Sequence, residues 1–361
     1  METLAIILII AIIFLIEEGQ SNLSCLDNNL SDVDWYNAVK VPDDFLFSYF
    51  DPSSSPNSPP GLQIFPGHNM NTTSSSVGGT INQVFQDKDV AYVAWNDECP
   101  DDNNIKKNGS PISIRRRQLY HQRAHSKGVI AWDGESGFWL IHSVPKYPDF
   151  DDSKYSWSGD IKGRNAQSFL CISLDKDNIE KSASQVLFMD PDVCTSNMPS
   201  ALSSEVPNLT ELVNGGKTSI SDTTSVEKIS SVNGQSFTSF AKTTAFNSDL
   251  YEDLVIPKLG SSFEWQTWRR ASGTPEDSYC KGDYDSENVL YTSFPFDNLQ
   301  WHYTKDHSKY GISSGGSDSY ICVGGINRMV SQRKRGGGTV CFENDDLHDS
   351  ISASFSKVEE C

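Results

Sequence analysis

Apolar residues along the chain fall into short, β-rich runs separated by polar, turn-forming stretches. Residues 89–95, 128–132, 138–144 and 168–174 are dense in Val, Ile, Ala and aromatic side chains over strand-like lengths, which predicts buried strands. The second and third of these flank Asp133-Gly-Glu-Ser-Gly137, a turn that predicts a hairpin. Residues 26–50 read as ordered, whereas the Pro/Ser cluster at 51–61, the Asn/Thr/Ser/Gly stretch at 69–80 and the polar stretch 96–111 predict loops. The Ser/Thr/Asn-rich segment 195–235 predicts irregular chain with a short helix at 209–213. Residues 249–256 carry Leu250, Tyr251, Leu254 and Val255 at helical spacing, with Asp249 and Glu252 as a capping pair and Pro257 as a stop. Late strands are expected at 319–323 and 339–343, so strands and helices mix and the class is α/β or α+β.

One apolar run differs in kind. Residues 4–16 are 13 consecutive apolar positions ended by Glu17 and Glu18. A membrane-spanning helix needs about 20, so the run predicts a signal peptide over residues 1–20 and an oxidising compartment beyond it. Eight Cys, with no C-x-x-C and no H-E-x-x-H, suit disulfides and not a zinc site. Sequons at Asn29, Asn71, Asn108 and Asn208, with Asn22 near the cleavage point, fit a glycosylated secreted or lysosomal protein.

Charge narrows the function. The 361 residues hold 29 Lys and Arg against 48 Asp and Glu, a net charge of −19. Even with all seven His protonated the balance stays negative, which excludes a protein that coats nucleic acid as a bulk polycation. A polyanionic substrate would have to be met by a local basic site.

Two tripeptides supply one: His125-Ser-Lys127 and His307-Ser-Lys309. The first runs into the predicted strand at 128–132, and the second is followed by Gly324-Gly-Ile-Asn327, where glycines let backbone approach a ligand. A pair of such motifs suits cleavage of a phosphodiester without a metal or cofactor. A neutral imidazole can approach anionic phosphorus, a second, protonated imidazole serves the departing oxygen, and Lys and Asn steady the equatorial oxygens. The two rings then need opposite protonation states, which acid near their ordinary value of about 6.5 favours.

The chain resembles the deoxyribonuclease II family, including its plancitoxin-type members. The marks are Val33-Asp-Trp-Tyr36, His125-Ser-Lys-Gly-Val129, Gly137-Phe-Trp-Leu-Ile-His-Ser-Val-Pro145 and Tyr155-Ser-Trp157. Farther along stand Phe237-Thr-Ser-Phe-Ala-Lys242, Asp249-Leu-Tyr251, Asp306-His-Ser-Lys309, Val323-Gly-Gly-Ile-Asn-Arg328 and Arg335-Gly-Gly-Gly-Thr339. The resemblance implies a phospholipase-D-like fold, a pseudo-twofold pair of α/β halves (21–185 and 186–361) sharing a central cleft. It implies a metal-independent acid endonuclease on DNA that leaves 3′-phosphate and 5′-hydroxyl ends. His125, Lys127, His307, Lys309 and Asn327 are its implied catalytic set, with His125 as nucleophile and His307 as general acid, an order that could be reversed. His142 and Arg328 would support the phosphate or the cleft, His142 having a purely structural alternative. Gly325 departs from the family, which often has an acidic residue there.

The family pattern also implies disulfides Cys25–Cys171, Cys280–Cys361 and Cys322–Cys341, which leaves Cys99 and Cys194 to pair. Arg115, Arg116 and Arg117 read as a processing site, as a phosphate-gripping rim with Arg123, or as a solvated loop. Arg333 and Arg335, before three glycines, are further DNA-contact candidates. Trp265 and Trp268, beside Arg269 and Arg270, could stack bases or alternate between core and surface of a strand. Gly311-Ile-Ser-Ser-Gly315 fits G-x-S-x-G but lacks the strand and helix of a nucleophile elbow. The rival readings are a phosphodiesterase of the same fold acting on phospholipid, and an inactive secreted binding protein or toxin.

Overall fold

A computed structural model describes residues 22–54, 68–100, 106–107, 110–111, 123–150, 154–157, 163–216, 218, 221–270, 273–294 and 299–359. The expected leader, Asn108, Arg115–Arg117 and Cys361 lie outside these residues.

Two-residue alternation builds the first sheet. Strand β1 (Trp35–Lys40) sends Trp35 and Val39 into one core and Tyr36 and Ala38 into another, so both faces are covered. Then follow β2 (Phe47–Phe50), β3 (Ala91–Trp95), β4 (Gly128–Trp132), β5 (Gly137–His142), β6 (Gln167–Leu174) and β7 (Val193–Asn197). They pair antiparallel in the order β7-β3-β4-β5-β6-β1-β2. The β4–β5 hairpin closes at Trp132 and Gly137, where Asp133 Oδ1 accepts from the amides of Glu135 and Ser136.

The second sheet comprises β8 (Thr224–Ser230), β9 (Ser236–Lys242), β10 (Ser262–Gln266), β11 (Ser286–Phe294), β12 (Leu299–His302), β13 (Tyr310–Ser314), β14 (Tyr320–Gly324), β15 (Gly337–Glu343) and β16 (Phe355–Val358). Its order is β8-β9-β15-β14-β13-β10-β11-β12, with β16 on β11, and its β10–β11 pair is parallel. One apolar core runs between the sheets, from Trp35 and Ile141 to Val323 and Phe342. Helix α2 (Lys176–Met189) packs on strands of both sheets, and the class is mixed α/β.

The two sheets repeat one register. Across the first, Trp95, Gly128, Ile141, Leu170 and Asn37 stand side by side on β3, β4, β5, β6 and β1. Across the second, Gln266, Tyr310, Val323, Val340 and Ser239 do the same on β10, β13, β14, β15 and β9. In each row the second residue is the one that follows an H-S-K motif. Residues at the same offset from these rows are equivalent.

Three expectations are corrected. Residues 69–80 are not all loop: Ser75 Oγ accepts from Gly78 N and starts helix α1 (Ser76–Gln86). Its glycines mislead, because Gly78 is there for packing; a Cβ would meet Thr72 O at 2.0 Å. Within 195–235 the edge strand β8 pairs with β9 along its length, Ser and Thr being acceptable on an edge half in solvent, while the expected short helix is α3 (Pro207–Val213). Pro257 does not stop the third segment. Asp249 Oδ1 caps the amides of Tyr251 and Glu252 as expected, but a π-turn (Tyr251–Val255) leads into α4 (Ile256–Leu259), whose first turn tolerates proline. Helix α5 (Asp345–Ser354) precedes β16.

Disulfides join Cys25–Cys171, Cys99–Cys194 and Cys322–Cys341, and Cys280 is also disulfide-bonded. Among the described residues no helix is long and apolar enough to cross a membrane. Of the sequon residues, Asn29 is exposed in a turn, and Asn71 and Asn208 are half-buried.

Candidate active site

Each H-S-K motif ends where a central strand begins, β4 at Gly128 and β13 at Tyr310. Each is then tied to the other sheet. The His125 amide donates to Gly336 O at 2.8 Å and the His307 amide to Ala166 O at 2.9 Å. Gly336 and Ala166 are equivalent, four residues before Val340 and Leu170. The Lys309 amide also crosses, donating to Ser168 Oγ at 3.1 Å.

Gly325 explains its own identity. Its carbonyl lies 2.5 Å from His125 Nδ1, and a Cβ there would meet His125 O at 2.7 Å and Ser126 Cα at 2.9 Å. An acidic side chain has no room at this spot. Since a carbonyl only accepts, Nδ1 carries the proton and Nε2 of the neutral ring holds the lone pair.

The cations share one internal anion that the sequence did not single out. Asp97 Oδ1 accepts from Lys127 Nζ, and its Oδ2 lies 3.4 Å from His125 Nε2 and 3.9 Å from Arg335 Nη2. Burial alone would raise the Asp97 carboxyl, but His125, Lys127 and Arg335 outweigh it and hold it far below the usual range. Asp97 follows β3, whose end adjoins the start of β4; that antiparallel adjacency was the available signal.

Burial keeps the imidazoles neutral. It drives His125 well below its ordinary value, with Asp97 opposing and Lys127, Arg335 and Lys309 adding. It lowers His307 to about 2, with Lys309, Lys127 and His125 adding, so groups of the two motifs feel each other's charge. Burial and then Lys127 bring Lys309 to about 7. Among the described residues His307 Nε2 and Asn327 Oδ1 are buried with no partner, and the Trp268 ring lies 3.9 Å from the His307 ring, edge to face. Trp265 is fully buried against Tyr251 and Phe263.

His142 packs against Tyr147 and Phe169 and accepts from Val144 N through Nδ1, so Nε2 carries a proton that has no acceptor among the described residues. Burial and then Lys127 lower it to about 3. Arg328 differs from the expectation for a cleft residue. Its guanidinium is fully buried on Glu252, Asn288, Ser286 and the carbonyl of Asp277, which secures β11 to the π-turn. Arg333 pairs with Glu276 at 2.7 Å, and Arg123 with Asp192 at 3.4 Å. Arg335 caps the carbonyls of Arg123 and Ala124 at 2.8 and 3.1 Å, so it shapes the chain into His125. Gly311–Ser314 lies in strand β13 and a turn follows, so no helix completes an elbow. Among the described residues no group of three or more His, Cys, Asp and Glu could hold a metal ion.

The model of the deoxyribonuclease II family matches residues 24–361. The chain belongs to the deoxyribonuclease II family. It is similar to Plancitoxin-1 of Acanthaster planci, 30% identical over 353 residues that cover 94% of this chain and 92% of that protein. Deoxyribonuclease-2 of Caenorhabditis elegans is 30% identical over 93% of this chain and 94% of its own length. Deoxyribonuclease-2-alpha of Bos taurus is 30% identical, over 95% and 91%. As a deoxyribonuclease II the protein is a hydrolytic endonuclease, and its mixed α/β fold is of the phospholipase-D-like kind.

Proposed function

We propose that the protein cleaves DNA without base preference at acid pH, without a required metal, through a phosphohistidine. The observation that carries this reading is the crossing of the two H-S-K motifs, each histidine amide held by the opposite sheet. His125 Nε2, unprotonated because the ring's proton sits on Nδ1 against Gly325 O, and 3.4 Å from Asp97 Oδ2, attacks phosphorus. The 5′-oxygen leaves with a proton from His307 Nε2, and a P–N bond replaces the P–O bond. Water then attacks the same phosphorus and gives a proton back to His307. The P–N bond breaks, leaving a 3′-phosphate and restoring His125.

The neutral state of His307 in the free protein gives the substrate a part in this. Lys127 and Lys309 disfavour its protonation, and a bound phosphodiester anion beside them offsets that effect. Lys127, Lys309 and the amide NH2 of Asn327, a donor on a buried side chain, would hold the phosphate oxygens. The acid activity proposed here, the disulfides Cys25–Cys171, Cys99–Cys194 and Cys322–Cys341 and the apolar run at residues 4–16 suit a secreted or lysosomal setting, with the sequon asparagines as candidate glycosylation sites.

The test is plasmid digestion at pH 5 in EDTA by wild type, His125→Ala and His307→Ala. Cleavage by wild type alone is expected. A wild type inert on DNA overturns the reading, and a phospholipid assay then separates another phosphodiesterase from a binding protein.

A further inference from the structure

Two buried lysines outside the H-S-K motifs stand in equivalent places. Lys40 lies three residues beyond Asn37 at the end of β1, and Lys242 three beyond Ser239 at the end of β9. Both are fully buried. Lys40 Nζ donates to the carbonyls of Val41, Asp44 and Gly163 at 2.7, 2.8 and 2.7 Å. Lys242 Nζ donates to those of Gln332, Arg333 and Arg335 at 3.0, 2.9 and 2.6 Å. Each ammonium also lies near an aromatic ring, 5.8 Å from Phe45 and 5.9 Å from Phe246.

An ammonium has three protons, and each cage presents three carbonyls. Burying such a charge is costly, and burial lowers Lys242 to about 8. A neutral side chain would fill the space at less cost, but would leave carbonyls unpaired and their loop unfixed.

What the cages hold is specific. The loop gathered by Lys242 ends at Gly336, whose carbonyl takes the His125 amide, and it carries Arg335, which caps the two residues before His125. The loop gathered by Lys40 runs through Gly163 to Ala166, whose carbonyl takes the His307 amide and whose amide donates to Lys305 O at 2.9 Å. The links cross: the lysine of each sheet secures the histidine of the other.

We propose that Lys40 and Lys242 are a crossed pair of positioning residues, Lys40 setting His307 and Lys242 setting His125. The proposal rests on the reading that these histidines do the chemistry. Its test uses the full chain with Lys40→Met, Lys242→Met and the donor-retaining Lys40→Gln and Lys242→Gln. DNA cleavage and the ring ¹³C resonances of His125 and His307 are measured in each.

Each Met variant should lose roughly 10- to 100-fold in kcat with KM within about twofold, as expected when reacting groups are misplaced. The Gln variants should lose less. Lys40→Met should shift the His307 resonance and leave His125 in place, and Lys242→Met should do the reverse. An unchanged kcat, an uncrossed or equal pattern of shifts, or loss of the fold in both variants of a lysine overturns the proposal. If His125→Ala or His307→Ala stays active on DNA, it is the catalytic reading that has failed; the resonance pattern still decides what the lysines position.

Discussion

Asp97 and Trp268 occupy the same place in the two sheets, two residues past Trp95 and Gln266, and each touches the histidine of its own motif. One neighbour is a carboxylate and the other an indole. The pseudo-twofold arrangement is therefore broken at the point where two identical tripeptides must take different parts. Asp97 favours the charged ring of His125, opposing its burial, while His307 keeps an unpartnered Nε2 beside an aromatic edge.

Replacing Asp97 by Asn keeps the shape and removes the charge shared by Lys127, Arg335 and His125. Leaving buried cations without their anion should cost about 3 kcal/mol of stability. Cleavage should fall by at least tenfold, because Lys127 loses the partner that aims it. Denaturant unfolding and plasmid nicking on the same preparation check both.

Trp268→Ala should weaken DNA cleavage more than Trp268→Phe, which keeps an aromatic edge on His307. Packing contacts of this kind are worth about 1 kcal/mol, a several-fold effect on rate. Equal activity of the two variants would show that the ring does not seat His307.

Gly325→Ala forces a methyl against the backbone of His125 and Ser126. The expected outcome is a loss of about 1–3 kcal/mol in stability and a larger loss of activity, since the carbonyl on His125 Nδ1 moves with the strain. Thermal unfolding beside kcat measurement reads the two effects separately.

Acid should destabilise the DNA-free protein. His142 and His307 titrate far lower when folded than the ordinary 6.5, so below that value the unfolded chain takes up protons that the folded one refuses. Their stabilisation is complete above about pH 6.5 and is lost as the pH falls, by about 2 kcal/mol per ring at pH 5. Asp192 works in the opposite sense. Burial raises it to about 7 despite Arg123 and Arg335, so its protonated form favours the fold at acid pH and that contribution fades as the pH rises toward 7. Asp192→Asn removes this opposing contribution and should steepen the loss of stability on acidification. Unfolding followed from pH 7.5 to 4.5 should show a net decline, and a non-cleavable DNA analogue should reduce it.

Activity should fall as the pH rises through about 7, where Lys309 gives up its charge. Lys309→Arg, charged throughout, should move that limb upward at some cost in rate, because guanidinium and ammonium differ in shape. A pH–rate profile whose alkaline limb is unmoved by this substitution would place the titration on another group.

Much of this protein is set by the order of its residues alone. The central strands, the hairpin at Asp133–Gly137, the Asp249 cap, the two H-S-K motifs and the family all follow from local runs and spacings, since β alternation, turns and caps depend on neighbours in the chain. What pairs across distance had to await the fold. Helix α1 hides behind glycines placed for packing, Gly78 against Thr72 and Gly79 against Leu30, and Arg328, though inside a family motif, is spent on Glu252 and Asn288. Asp97 reaches His125 and Lys127 only because β3 and β4 run antiparallel, and Lys242 reaches His125 only through a loop gathered from 90 or more residues away. Charge, burial and the unprotonated Nε2 of His125 depend on that assembly, because fields and desolvation act through space and are indifferent to chain order.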